Sequence, residues 1–176
     1  MTTLLLVRHG ETDWNAEGRL QGHTDRPLNA YGREQAKALA ARLAREAEGE
    51  SVAAIYASDL ARARETAEIL GERLGLPVVV DPDLREKNWG TWEGLTSEER
   101  LTVEYEGESS EEHRERTMRA VERIAERHPG QRVVIVTHGG SLRRIQAAVS
   151  GVALPVIDNC SVWPLAHEDG TFSAVD

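Results

Sequence analysis

The sequence is poor in three things: sulfur, positive charge and long apolar runs. Its 176 residues include one cysteine (Cys160), two methionines and one phenylalanine. A lone thiol cannot close an internal disulfide, so a packed core must hold the fold, and the expected compartment is the reducing cytoplasm. The apolar run at residues 4–7 is too short for a membrane span. It meets Arg8 at once and lacks a basic leader or cleavage pattern, so no signal peptide is expected. Lysine and arginine number 21 against 30 aspartates and glutamates, a formal charge of −9. That balance argues against nucleic acid or an anionic membrane as partner, and any phosphorylated ligand must rely on a local basic pocket. No repeat, low-complexity segment or coiled-coil pattern is present. A hydrophobic fraction of 40% and a charged fraction of 29% suit one globular domain spanning 1–176. A homodimer is compatible with this composition but is not derivable from it.

Two apolar runs end alike. Leu4-Leu5-Leu6-Val7 closes in Arg8-His9-Gly10-Glu11, and Val133-Val134-Ile135-Val136-Thr137 closes in His138-Gly139-Gly140. Branched apolar runs ending in glycine and polar residues read as buried strands, and ligands of open α/β sheets gather at the carboxyl ends of strands. Two strands that both finish in histidine-glycine point to one shared site. Strand and helix signals alternate along the rest of the chain. Residues 52–57 and 78–80 read as strands. A helix is expected around Gln35, Ala36, Leu39, Ala40 and Leu43, another over 59–74 stopped by Gly75 and Pro77, a third from a Ser110 cap to about His128, and a fourth over 141–149. Residues 161–165 and 172–175 read as a closing hairpin around Asp169-Gly170. The expected fold is α/β: a three-layer sandwich with a mostly parallel central sheet and helices on both faces. Residues 12–29 lack apolar periodicity and follow the first histidine directly, so they are expected to fold over the site.

The residue types suit phosphoryl transfer. Arg8 and Arg62 offer planar forks that match phosphate oxygens, and Arg62 falls in the first turn of a helix beside free backbone N–H groups. A neutral His9 can attack phosphorus, a protonated His138 could donate, and Gly139 and Gly140 let backbone N–H groups come close.

The sequence resembles a known family, the histidine phosphatases or phosphoglycerate mutase superfamily. The stretch LLLVRHGETDWNAEGRLQGHTDRPLNAYGREQA is similar to its amino-terminal signature. ASDLARARETAE, LREKNWGTWEG, EGESSEEHRERT and VVIVTHGGSLRRI resemble later blocks in the expected order. The resemblance implies a phosphoglycerate mutase-like sandwich, a reaction that needs neither metal nor cofactor, and a small phosphorylated metabolite as substrate. It also implies that His9 is the transiently phosphorylated nucleophile and Glu86 protonates the leaving oxygen. Arg8, Arg62 and His138 then hold the phosphoryl group, with Asn15 as a further contact. Arg19, Gln21, Gly22 and Trp89 are candidate substrate contacts, with Trp92 and the Gly107 loop as possible pocket walls. His113, His128 and His167 read as surface residues.

Three rival readings make different demands on the sequence. Zinc hydrolysis lacks His-x-His or His-Glu-x-x-His spacing, and arginines flank the candidate ligands. A non-catalytic module on this fold should have lost His9 or Glu86. A cofactor-dependent phosphoglycerate mutase is the runner-up. Family mutases carry a long insertion between the blocks of Glu86 and His138, whereas RLTVEYEGESSEEHRERT here is short, acidic and free of proline. Gly107-Glu108-Ser109 instead resembles the phosphatase branch.

Overall fold

The computed structural model describes residues 1–46, 51–152 and 155–175. A six-stranded sheet runs in the order β3-β2-β4-β1-β5-β6. Its strands are β1 (Thr2–Arg8), β2 (Val52–Ala57), β3 (Val78–Val80), β4 (Arg132–Thr137), β5 (Val162–Glu168) and β6 (Thr171–Ala174). The first four are parallel, while β5 pairs antiparallel with β1 and β6 with β5. The helices are a one-turn α1 (Asp13–Ala16), α2 (Ala30–Glu46), α3 (Ala61–Leu74), α4 (Ser110–Arg127) and α5 (Gly139–Ser150). None of the described helices is long and apolar enough to cross a membrane.

Strand alternation divides the core in two. Leu4, Leu6, Val133 and Ile135 face Ala120, Val121 and Ile124 of α4 and Leu142 and Ile145 of α5. Leu5, Val7, Val134 and Val136 face Leu39 and Leu43 of α2 and Ala63, Ala67 and Leu70 of α3. With helices on both faces, β1 and β4 can be apolar at every position, which is why they read as continuous runs. The expected three-layer architecture is therefore the observed one.

Several boundaries differ from the expected ones. Helix α4 is capped by Ser109, not Ser110: the Ser109 hydroxyl accepts from Glu112 N–H, and the Glu112 carboxylate accepts from Ser109 N–H. A capping box needs its acid three residues on, and Glu112 stands in that relation to Ser109. Helix α3 starts at Ala61, because Asp59 is drawn off to pair with Arg85 at 2.7 Å. Helix α5 starts two residues early, with His138 at its cap. The closing hairpin forms as expected, with Asp169 and Gly170 both at positive φ in its turn.

Candidate active site

The parallel register sets Val7 beside Val136 and Arg8 beside Thr137, so His9 and His138 leave the sheet at the same level. Their rings meet edge to face with centroids 5.2 Å apart. Arg62 arrives from the start of α3 after β2, and Glu86 from the segment after β3. Four strand ends thus feed one cavity of about 210 Å³. It is lined by Arg8, His9, Asn15, Arg62, Glu86 and Gly139 from the expected catalytic set. Arg19, Gln21, Gly22 and Trp89 from the expected contact set also line it. His138 lies beneath, fully buried.

The nucleophile loop depends on close backbone packing. Gly10 and Gly32 face each other so tightly that a Cβ on Gly10 would stand 2.5 Å from the Gly32 carbonyl oxygen. Asn159 donates from Nδ2 to the His9 carbonyl at 2.9 Å and to Asn15 Oδ1 at 3.3 Å, joining the loop to the segment that covers it. The His9 ring itself is set by the Gly10 carbonyl, 2.6 Å from Nδ1. Since a carbonyl can only accept, Nδ1 carries the proton and Nε2 the lone pair. Burial, then the charges of Arg62 and Arg8, hold this imidazole well below the usual histidine range.

His138 is likewise held far below its ordinary value by burial, Arg62 and His9, and among the described residues neither ring nitrogen has a hydrogen-bond partner. The expected protonated donor is therefore not what the free protein presents. For a fully buried ring beside two guanidiniums a third positive charge is disfavoured, and His138 offers at most one N–H.

Arg62 is 1% exposed. It donates to the carbonyls of Gly22 (2.7 Å) and Thr24 (3.1 Å), which pins residues 12–29 over the site as expected. Burial pushes its pKa down to about 10, still charged at neutral pH. Arg8 donates to the Ile157 carbonyl and keeps a buried Nε that has no hydrogen-bond partner among the described residues.

Glu86 is clasped by backbone: Oε2 accepts from Gly140 N–H and Oε1 from Lys87 N–H, both at 2.8 Å. A side chain on Gly140 would meet Oε1 at 2.3 Å, so glycine there makes room for this carboxylate. Arg116 supports the loop from below, donating to the carbonyls of Asp83, Arg85 and Glu86 and pairing with Glu108 at 2.9 Å.

Some expected contacts change role. Arg19 lines the cavity but is paired with Glu17 and Glu99. Asn15 lines it while completing a capping box with Thr12. Gln21 accepts from the Thr12 hydroxyl at 2.8 Å. Of the expected apolar walls only Trp89 reaches the cavity; Trp92 stacks behind it and packs on Tyr105. Gly107 packs on Asn88 and Tyr105, away from the cavity.

His113 and His167 are buried, not on the surface. His113 lies on the inner face of α4. Its Nε2 lies 2.9 Å from Ser141 Oγ and 3.7 Å from Glu86 Oε1; the Ser141 hydroxyl donates to the Arg85 carbonyl at 3.3 Å, which leaves its oxygen to accept from Nε2. Its place in the charged run Glu111-Glu112-His113-Arg114 hid it, although the i, i+4 spacing to Thr117 and Val121 marks the buried face. Arg143, Val156 and Ile157 also line the cavity without having been expected. Arg143 lies one turn beyond Gly139 on α5, which could have revealed it; the other two sit in irregular chain with no periodic signal.

Comparison with known proteins adds four findings. Residues 4–176 match the family model of the histidine phosphatase superfamily, branch 1. The chain is 40% identical to a metal-independent phosphoserine phosphatase of Arabidopsis thaliana, over 85% of this chain and 69% of that protein. It is also 40% identical to phosphoglycerate mutase-like protein 4 of the same plant, over 95% and 80%. Among solved structures it superposes on a mycobacterial glucosyl-3-phosphoglycerate phosphatase bound to VO3. The TM-score is 0.84 at 33% identity, covering 97% of this chain and 95% of that one.

Proposed function

This chain belongs to branch 1 of the histidine phosphatase superfamily and is a phosphatase, and we propose that it hydrolyses small phosphomonoesters with His9 as nucleophile and Glu86 as proton donor. The observation that carries this reading is the Gly10 carbonyl on His9 Nδ1, which leaves the lone pair on Nε2 at the mouth of a cationic cradle. Nε2 attacks phosphorus and the P–O ester bond breaks. Glu86 passes its proton to the departing alkoxide. The resulting carboxylate then takes a proton from water, the hydroxide attacks the phosphoryl group, and the P–N bond breaks to release inorganic phosphate. Arg8 and Arg62 stabilise charge on the equatorial oxygens throughout, the main source of rate in phosphoryl transfer. The neutral state of His9 means that no proton must leave before attack.

Small phosphorylated metabolites are the substrate class this reading favours. The relatives above are named for phosphoserine and glucosyl-3-phosphoglycerate, both monoesters of small hydroxylated compounds. The test is rapid-quench mass spectrometry during turnover of p-nitrophenyl phosphate, with 3-phosphoglycerate assayed in parallel for release and isomerisation. A phosphoryl adduct on His9, absent in His9→Ala together with all turnover, is the expected result. An adduct elsewhere refutes the assignment, and isomerisation outrunning phosphate release turns the reading toward a mutase.

A further inference from the structure

Beside the catalytic cavity lies a second of about 140 Å³, and both are lined by Trp89, Gly140 and Arg143. The rest of its lining is Lys87, His113, Arg144 and Ala147. Three of the seven residues are cationic and none is acidic, in a chain whose net charge is −9. Lys87 is 6% exposed. Its ammonium donates to Ser110 Oγ at 3.2 Å and lies 4.6 Å from the Trp89 ring centroid and 4.9 Å from that of Tyr105. Arg144 donates from Nη2 to the same Oγ at 2.9 Å. Two cations therefore converge on one neutral hydroxyl, and among the described residues neither forms an ion pair.

The carboxylates whose field reaches Lys87 are Glu108 and Glu86. Glu108 is already held by Arg116 and Asn88 N–H, and Glu86 by Gly140 and Lys87 N–H. Burial and the charge of Arg144 push the Lys87 ammonium below the usual lysine range. A buried ammonium beside a second cation, with no carboxylate paired to either, is an unfavourable arrangement, and an anion placed between them relieves it. The annex also lies where the reaction sends its leaving group. Glu86, which protonates the departing oxygen, is the residue before Lys87, and Gly140 touches Glu86 while lining both cavities.

We propose that the annex seats a second anionic group of the substrate, so that the preferred phosphomonoester carries a carboxylate or a second phosphoryl group on its alcohol portion. This rests on the phosphatase reading above and extends it to a substrate class. Lys87 and Arg144 are its specificity residues, and Trp89 forms the wall along which the carbon chain passes.

The test compares matched substrates that differ in the second group: O-phosphoserine against O-phosphoethanolamine, 3-phosphoglycerate against glycerol 3-phosphate, and fructose 1,6-bisphosphate against fructose 6-phosphate. The first two pairs report a carboxylate and the third a second phosphoryl group. At least one pair is expected to show a kcat/KM preference of about tenfold or more for the more anionic member, the worth of one or two charge-assisted hydrogen bonds. In Lys87→Met and Arg144→Gln that preference collapses through a higher KM for the more anionic member. Equal activity on both members of every pair in the unaltered enzyme overturns the annex while leaving the phosphatase reading intact. So does an equal fall on both members in the variants, the mark of a purely structural role. Failure to release phosphate from any monoester, p-nitrophenyl phosphate included, overturns both.

Discussion

At the scale of single residues, the site works through what its side chains are prevented from doing. Gly10 takes the proton side of His9, leaving the other nitrogen to attack. Backbone N–H groups fix both oxygens of Glu86, so the carboxyl enters the reaction already oriented. A positioned proton donor matters in proportion to how poor the leaving group is. In single-turnover measurements of phosphoryl transfer to His9, Glu86→Gln is therefore expected to slow alkyl phosphates by about 10²–10⁴-fold, with p-nitrophenyl phosphate slowed far less. Equal slowing of both would remove Glu86 from the donor role. Sequence made His9, Glu86, Arg8 and Arg62 legible because each sits just past a strand or opens a helix, where side chains meet ligands. Asn159 and Arg116 stayed hidden. Their work is donation to carbonyls 150 and about 30 residues away, which no local spacing reports.

At the scale of elements, helix ends decide how loops reach the site. Ser109 and Ser110 are neighbours with different tasks. The first closes the α4 capping box, and the second accepts hydrogen bonds from Lys87 and Arg144, which line the annex. Losing an N-cap hydroxyl costs about 0.5–2 kcal/mol, whereas a side chain that keeps a capping acceptor retains the bond. Urea denaturation should accordingly show Ser109→Ala destabilised and Ser109→Asp close to the unaltered protein. If the two fall equally, the cap is misassigned. The parallel strands were readable to the residue at 52–57 and 78–80, since the hydrophobic runs are bounded sharply by polar turns. The starts of α3 and α4 were not, because Ser58-Asp59 and Ser109-Ser110 are adjacent capping candidates and only three-dimensional partners choose among them.

At the scale of the whole molecule, an acidic chain gathers cations and neutral histidines at one end of its sheet. Four arginines line the catalytic cavity, while acidic residues dominate elsewhere. The histidines have a consequence for stability. Burial is the first cause holding His9, His113 and His138 below the ordinary histidine range, reinforced at His9 and His138 by arginine charge and opposed at His113 by Glu86. In the unfolded chain they titrate near pH 6.5. Below that pH the unfolded state binds protons that the folded state refuses, so unfolding becomes easier with acid; above it the contribution to stability is complete. Each such site adds at most about 1.4 kcal/mol per pH unit to the slope. Depressed carboxylates such as Asp59, held down by Arg85, keep their contribution above the ordinary carboxylate range and lose it only at lower pH. The window between pH 7.5 and 5.5 therefore isolates the histidines. Unfolding free energy from urea titrations is expected to drop across it, and His113→Gln, whose amide can still donate to Ser141, should show a shallower drop despite a lower starting stability. A stability that stays flat from pH 7.5 to 5.5 would mean that the folded protein protonates these rings as readily as the unfolded chain does. The neutral nucleophile at His9 would then lose its physical basis.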